Sequence, residues 1–323
     1  MKVFLILAMP LLVVFTLMGC RNDYEPAYTD NEPLIIDLNR DSLKILQLTD
    51  LHLTYTIDAN DRRTFNDIEQ MVLSDEYDLV VFTGDIAMSP FAASQFRHLT
   101  NLMESLEVPW TFVFGNHDRD YHDAWTLIAQ TEGAENLYFK AGPSLEDGGV
   151  GNFTITFNYL GVPFYHVHFF DSKAERENPT EATGVYDYFS TAQVAWFETR
   201  LAEDIAPSLV FMHTPLRQFE LVSEHDYVGN FLEPVHPQGI DSGFFDVALN
   251  YGNVMAMFSG HDHSNTFAFE LDGIVLAYGK VTGHNAYGFY RDTGGRVIHV
   301  TNDGSFDTWI INAKGEQIDD ENE

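Results

Sequence analysis

The sequence predicts an α/β fold: a parallel sheet early in the chain, a second sheet later, and helices packed outside both. Two observations predict it. First, strand-length apolar runs at 43–48, 79–82 and 110–114 alternate with helical stripes at 64–73 and 92–106. Parallel neighbours need such crossovers, so this order implies a parallel sheet. Second, the texture changes after residue 150. Runs at 152–157 and 163–170 read as a strand pair, and runs at 274–278, 297–301 and 306–311 read as a second, largely antiparallel sheet.

Each element has a local reason. In 64–73, Phe65, Ile68, Met71 and Val72 recur at helical spacing. In 92–106, Phe96, Leu99, Leu102, Met103 and Leu106 share one face. Such stripes are core faces. His166 and His168 alternate within the second strand of the pair, and nothing nearby breaks that strand to expose them, so a structural role is expected. Ser190 is placed as an N-cap, with Gln193 in the capping-box position. Val194, Phe197 and Leu201 form the buried face of that helix, with Trp196 flanking it. Further apolar runs at 208–212 and 254–258 read as buried strands. Residues 215–251 contain Gly229, Pro234, Pro237, Gly239 and Gly243 and read as a long functional loop region. There is no internal repeat and no linker, so one folded domain is expected over 41–315, followed by a structureless acidic tail at 316–323.

Composition excludes some functions. Lys and Arg number 17 against 49 Asp and Glu, a formal charge of −32. Such acidity excludes nucleic-acid binding through a basic surface and disfavours direct adsorption to anionic lipid. It also repels anionic substrates unless the site brings positive charge of its own, which metal ions supply. The N-terminus has a different character. Lys2 precedes an apolar run over 3–18, interrupted by Pro10, in the pattern of a signal peptide over 1–19. It ends in Leu17-Met18-Gly19-Cys20, which resembles the lipobox of bacterial lipoproteins. That resemblance implies lipidation of Cys20, a polar tether over 20–40, and a protein anchored outside the cytoplasmic membrane. An ordinary cleaved signal with a chance cysteine is the alternative. Cys20 is the only cysteine, so no internal disulfide can form.

The chemistry gathers at strand ends. The run at 254–258 leads through Ser259 into Gly260-His261-Asp262-His263. The run at 43–48 ends in Thr49-Asp50-Leu51-His52, and 79–82 ends in Thr83-Gly84-Asp85. The run at 110–114 ends in Gly115-Asn116-His117-Asp118, and 208–212 ends in His213-Thr214-Pro215. The carboxyl edge of an α/β sheet is where ligands bind. Singly, each residue could be a loop cap, a turn residue or a hydrogen-bonded core histidine. Together they give carboxylate, amide and imidazole groups without thiolate, a set that suits Mn, Fe or Zn. The candidates Asp50, His52, Asp85, Asn116, His213, His261 and His263 are too many for one four- to six-coordinate ion. Two ions sharing a carboxylate fit better, and such pairs stabilise in-line displacement at phosphorus.

These motifs resemble, in order and approximate spacing, those of the calcineurin-like metallophosphoesterases, over most of residues 43–290. Within that superfamily, Leu46-Gln47-Leu48-Thr49-Asp50-Leu51-His52, Asp241-Ser242-Gly243, Phe258-Ser259-Gly260-His261-Asp262-His263 and His284-Asn285-Ala286-Tyr287-Gly288 resemble the purple-acid-phosphatase-related branch. The resemblance implies a four-layer α/β/β/α sandwich of two mixed sheets flanked by helices. It implies two divalent or mixed-valence metal ions. Asp50, His52 and His263 would hold one, Asn116, His213 and His261 the other, and Asp85 would bridge them. A hydroxide between the metals would attack phosphorus. His117 would contact the phosphoryl group and protonate the leaving oxygen, and Asp118 would orient His117 or support it from behind. His284 and Arg217 are candidate substrate contacts. Where purple acid phosphatases have a tyrosine ligand three residues after the bridging Asp, this chain has Met88. A tyrosinate-bound ferric ion is therefore not expected. The expected reaction is hydrolysis of a small phosphorylated substrate, monoesters before diesters, with 172–190 and 216–252 as specificity loops. A phosphodiesterase of nucleotide or cyclic-nucleotide type and a non-catalytic metal-binding surface lipoprotein are the alternatives.

Overall fold

A computed structural model describes residues 31–55, 58–287 and 292–319. The signal-like run, Cys20 and residues 320–323 of the acidic tail lie outside the described residues. Among the described residues no helix is long and apolar enough to cross a membrane.

The first half builds one layer pair. After β1 (Leu34–Leu38), β2 (Ser42–Leu48), β3 (Leu79–Thr83) and β4 (Trp110–Val113) pair in parallel, and the crossovers are α1 (Ala59–Leu73) and α2 (Ala92–Leu106). Asp58 caps α1, its carboxylate accepting from the Asn60 and Asp61 amides. This cap starts the helix five residues before the apolar stripe begins. A short α3 (Ala124–Ile128) follows. Then come β5 (Phe153–Tyr159), β6 (Val162–Phe169), a small hairpin of β7 (Glu175–Thr180) with β8 (Gly184–Tyr186), and α4 (Thr191–Glu203). The expected capping box is present: Ser190 accepts from the Gln193 amide while the Gln193 side chain accepts from the Ser190 amide. The remaining elements are β9 (Ser208–Phe211), β10 (Tyr227–Val228), α5 (Phe244–Tyr251), β11 (Val254–Ser259), β12 (Ala268–Leu271), β13 (Ile274–Tyr278), β14 (Gly294–Thr301), β15 (Phe306–Asn312) and β16 (Gln317–Ile318).

Two mixed sheets result. One has the order β16-β15-β14-β2-β3-β4 and the other β1-β5-β6-β9-β11-β13-β12-β10. The period-two alternation of β2 assigns its faces. Leu43 and Ile45 point into the core between the sheets, against Ile155, Phe157, Phe211 and Phe258. Leu46 and Leu48 point outward under α1 and α2, against Ile68, Met71, Leu99 and Met103. On the far side, α4 and α5 cover the second sheet, with the Phe197 and Phe244 rings stacked 4.3 Å apart. The layers thus run helix, sheet, sheet, helix, as expected. Gln47 sits between the sheets at their carboxyl ends and donates to Thr83 Oγ1 and to the Ser259 carbonyl, each at 3.0 Å. It locks together the two edges that carry the motifs.

Several expectations need correction. The late strands do not form one sheet. β14 adds antiparallel to β2 and β15 antiparallel to β14, whereas β13 pairs in parallel with β11. Hydropathy cannot choose between two sheets that share one core. Residues 34–38, expected in the tether over 20–40, form β1, which pairs in parallel with β5 at a sheet edge. Only Ile36 in it is buried, which is why it carries little signal. Residues 317–318, expected in the structureless tail over 316–323, pair with β15. The region at 215–251 is not all loop: it contains a 3₁₀ segment at Arg217–Glu224 and α5. Trp196 is buried, edge-on to Phe170, rather than flanking.

The structural placement of His168 has a measurable consequence. Its ring bonds Thr154 Oγ1 (2.9 Å) and Ser208 Oγ (3.3 Å), and burial, helped by His166 and Arg200, pushes its pKa down to about 3. The folded state therefore favours the neutral ring. Its contribution is complete above the ordinary histidine pKa of roughly 6.5 and is lost as pH falls toward about 3, because the unfolded chain takes the proton first. His168→Gln should flatten the acid-side loss of unfolding free energy between pH 6.5 and 4, by up to about 1.4 kcal/mol per pH unit. Denaturant titrations of the two proteins across that range would show it, and parallel curves would contradict it.

Candidate dinuclear metal centre

The loops that leave β2, β3, β4, β9 and β11 meet at one edge, held by backbone bonds between motifs. The Asp50 amide donates to the Gly84 carbonyl (3.1 Å), His52 N to Asp85 O (2.9 Å) and Gly260 N to His213 O (3.1 Å). Asp50, His52, Asp85 and His261 all have positive φ, at 53°, 44°, 49° and 84°. For residues with a Cβ this costs on the order of 1–3 kcal/mol each. Such backbone persists only where the surroundings over-determine it, and here it turns each side chain into the same space. The motif glycines answer to close approach. A Cβ on Gly115 would lie 2.2 Å from Asp85 Oδ1, and one on Gly260 would lie 2.2 Å from Thr49 Oγ1.

Two buried groups of ligating side chains result, Asp50, His52, Asp85 and His263 in one, Asp85, His213 and His261 in the other. Within each group the ligand atoms lie within 4.8 Å of one another. Asp85 Oδ2 stands 3.5 Å from His52 Nε2 and 3.4 Å from His213 Nε2. Asn116 Oδ1 is 3.1 Å from His213 Nε2, which places the amide with the second group. The Nδ1 of His213 bonds the Thr83 carbonyl (2.7 Å) and that of His263 bonds the Tyr287 carbonyl (3.0 Å). A carbonyl only accepts, so Nδ1 carries the proton in both rings and Nε2 turns to the cluster.

The donor set fits a pair of cations. His52 Nε2 and His263 Nε2 approach to 3.1 Å. Asp50 Oδ2 accepts from Thr49 Oγ1 and the His261 amide, but Oδ1 is buried without a hydrogen-bond donor. An orphaned buried carboxylate oxygen beside facing imidazole nitrogens is an electron-pair-rich cavity, which a cation satisfies. Titration points the same way. Burial pushes the pKa of His52 and of His261 down to about 4, so both rings stay neutral and can offer lone pairs. Burial opposes the charge on Asp50, yet His263 and His213 hold its carboxyl down at about 2. Burial likewise opposes ionisation of Asp85, but His213 and His52 hold it well below the usual range. His213 is driven up to about 10, where the Asp85 charge overcomes burial. At that ring a proton takes the place of a cation, and metal binding would release it.

A family model described as calcineurin-like phosphoesterase matches residues 43–265. The chain belongs to that family. It is 27% identical over 316 residues to a probable inactive purple acid phosphatase of Arabidopsis thaliana, covering 83% of this chain and 77% of that protein. It is 20% identical over 294 residues to a probable cyclic nucleotide phosphodiesterase of Psychrobacter arcticus, covering 83% and 93%. The fold is similar to a dimetal phosphatase from Danio rerio, with a TM-score of 0.55, 12% identity and coverage of 84% and 99%. It is also similar to a purple acid phosphatase from yellow lupin seeds, with a TM-score of 0.50, 15% identity and coverage of 87% and 53%.

In this calcineurin-like phosphoesterase all seven expected ligand residues come together. The other expected site residues divide. His117 stands beside the cluster, its ring centroid 5.7 Å from that of His52 and its amide donating to Asp85 Oδ1. Asp118 does not orient it. That carboxylate is buried and accepts from the Gly115 and Ala87 amides at 2.8 and 3.0 Å, bracing two motif loops. Burial and the nearby Asp85 charge push its pKa up to about 7. The group that holds His117 is Asp120, whose Oδ2 lies 2.9 Å from Nδ1. Burial disfavours a proton on His117, but Asp85 and Asp120 outweigh it and raise the pKa. The structure does not bring His284 or Arg217 to the cluster. His284 pairs with Asp67 of α1 at 2.6 Å, and Arg217 pairs with Glu220 at 2.8 Å. Sequence reasoning missed Glu175, whose Oε1 accepts from Asn116 Nδ2 (3.0 Å), whereas Tyr186, an aromatic residue expected from the specificity loop at 172–190, lies edge-on to His261 at 4.4 Å. Both come from the β7–β8 hairpin, inside the expected specificity loop at 172–190. Met88 is part-exposed, its amide on the Leu53 carbonyl.

Gly115→Ala should weaken metal binding by at least about tenfold while leaving the far-ultraviolet circular dichroism unchanged. The methyl would collide with the shared carboxylate of Asp85, and equilibrium dialysis with elemental analysis measures the loss. Undiminished metal content would mean that the two loops can separate without opening the cluster.

Proposed function

We propose that this protein is a dinuclear-metal-dependent phosphoester hydrolase that favours monoesters. The observation that carries the reading is the convergence of seven ligating side chains, from five loops, into two groups sharing Asp85. Asp50, His52 and His263 would hold one ion, Asn116, His213 and His261 the other, with Asp85 common to both. Fe, Mn and Zn all suit these carboxylate, amide and imidazole ligands. Bound ions would supply Lewis acidity toward water and toward the phosphoryl oxygens. The chain's own groups do the rest. His117 holds a proton beside the cluster and delivers it to the leaving oxygen. Asp120 fixes Nδ1 of that ring, so the proton on Nε2 is the one given up. Asp118 keeps the Gly115 and Ala87 loops in register. Glu175 fixes the amide orientation of Asn116, leaving Oδ1 for the cluster.

The lean towards monoesters is supported by similarity in fold to a purple acid phosphatase and to a dimetal phosphatase, while the Arabidopsis relative is named probable inactive. Similarity to probable cyclic nucleotide phosphodiesterases favours the second reading, a diesterase on the same cluster. The substrate is a small phosphorylated compound. We further infer an extracytoplasmic protein held to a bacterial membrane through Cys20, on the strength of the signal-like run that precedes that residue.

The chain from Asn22 onward, stripped of metal and resupplied with Mn, Fe, Zn or Mg, should hydrolyse a chromogenic monoester faster than the matching diester. Asp85→Asn should abolish that turnover. His117→Ala should lower kcat by about 10²- to 10⁴-fold while retaining the metal. Unchanged kcat in His117→Ala would remove its role as proton donor, and no turnover with any metal would leave a metal-binding surface protein. In cells, Cys20→Ser should release the full-length protein from the detergent phase, and continued partition into detergent would rule out the lipid anchor.

A further inference from the structure

The stretch His284-Asn285-Ala286-Tyr287 supplies no ligand, yet it ends against one. The Tyr287 carbonyl accepts from Nδ1 of His263 (3.0 Å). Its ring lies on the His263 ring, centroids 4.0 Å apart and planes 25° apart. One residue thus fixes this imidazole twice. The carbonyl sets which nitrogen carries the proton, and the ring limits the tilt of the imidazole. The Tyr287 ring is 57% exposed, so core packing does not explain its place. The second ligand group is supported differently. Nδ1 of His213 rests on the carbonyl of Thr83, a buried residue at the end of β3, and Asn116 rests on Glu175. His263 leans on a loop, so that loop must itself be fixed.

Its anchor is the start of α1. Asp61, Thr64 and Asp67 recur every third residue and share one face of that helix. The Asn285 side chain donates to Asp61 Oδ1 (2.7 Å) and accepts from Asn60 Nδ2 (2.9 Å). The His284 amide donates to Thr64 Oγ1 (3.0 Å), and its ring sits on Asp67 Oδ2 (2.6 Å), which also takes the Thr293 hydroxyl (3.1 Å). Asp61 and Thr64 are fully buried. A buried carboxylate is costly unless its oxygens are used, and those of Asp61 are. Both lie 3.1 Å from the Thr54 amide, two residues after His52. Asp61 therefore joins the loop that carries His52 to the loop that supports His263. Those two imidazoles belong to the same ligand group, their Nε2 atoms 3.1 Å apart.

Resting on the two-ion reading, we propose that Tyr287 is a positioning residue for His263, held from α1 through Asn285 and Asp61. This strut sets the affinity of the ion on Asp50, His52 and His263 without setting that of its neighbour. It also gives the fifth motif a purpose: His284 and Asn285 are its footing, and Tyr287 is its working end.

Chelator competition on the metal-loaded protein, read by elemental analysis, tests this. Wild type should hold two ions. Tyr287→Ala and Asn285→Ala should each release one of the two about tenfold more readily and keep the other at wild-type affinity. Tyr287→Phe keeps both the ring and the carbonyl and should match wild type. In a His263→Ala background, adding Tyr287→Ala should cost nothing further, because the strut then has no ligand to hold. The denaturant midpoint of Tyr287→Ala should equal that of wild type, since the ring is exposed. Wild-type affinity for both ions in Tyr287→Ala, equal weakening of both, or a further loss in the His263→Ala background would overturn the strut while leaving the two-ion reading intact. A wild-type protein that binds no second ion would overturn that reading and the strut with it.

Discussion

Asp85 is the residue on which the site depends. Its carbonyl takes the His52 amide, its Oδ1 takes the His117 amide, and its Oδ2 lies between the imidazoles of His52 and His213. One buried carboxylate thereby ties three loops of the first sheet to a histidine of the second. It does so from a left-handed backbone position, φ 49°, which is costly for a residue with a Cβ. The adjoining Gly84, at φ 90°, passes where a Cβ would strike His213 and Gly115. Strain and crowding are concentrated where the ligands converge, and the close-packed layers around them supply the stability that tolerates it.

The sheets exist to present that edge. Gln47 bonds across them just below the motifs, and Asp118 braces the β3 and β4 loops from behind. Its buried carboxyl, with the pKa raised to about 7, shows how little room the neighbourhood has for further negative charge. The same economy separates the histidines. His52 and His261 are kept neutral by burial, whereas His213 is charged by Asp85. A cluster balanced by protons in this way exchanges them for metal, so site assembly and metal loading are one equilibrium.

Much of this was legible in the chain. The parallel core, both early helices and the seven candidate ligands follow from the apolar runs, the helical stripes between them and the Asp, Asn and His at the strand ends. What was not legible depends on pairing between segments distant in sequence. Hydropathy places Ile274 and Val297 in strands, but only partner choice sends one to each sheet. β1 is an edge strand with one buried side chain, so it reads as tether. Asp118 and Asp120 are indistinguishable by type and near in position, yet only Asp120 reaches His117. Glu175 and Tyr186 arrive on a hairpin whose approach no local signal encodes. His284 lies in a family-like motif, but Asp67 of α1 claims its ring.

Charge sets the terms on which a phosphoester could enter. The chain carries −32, and among the described residues Arg119, Lys173, Arg176 and Arg217 of the surrounding loops are each paired with a carboxylate. Paired cations of this sort have little field left to offer an incoming dianion. Attraction must then come from the cluster itself, where bound ions would add several positive charges inside a cavity that already holds two ionised aspartates. The coupling between metal and substrate should therefore be stronger than in a site lined with free lysine or arginine. Without metal the edge holds two ionised aspartates, the neutral rings of His52 and His261, and a His213 ring charged by Asp85. Bound metal would add positive charge there, and the His117 imidazole stands beside it. An acidic surface in this arrangement does not oppose phosphoester chemistry. It would confine anion binding to the metal centre.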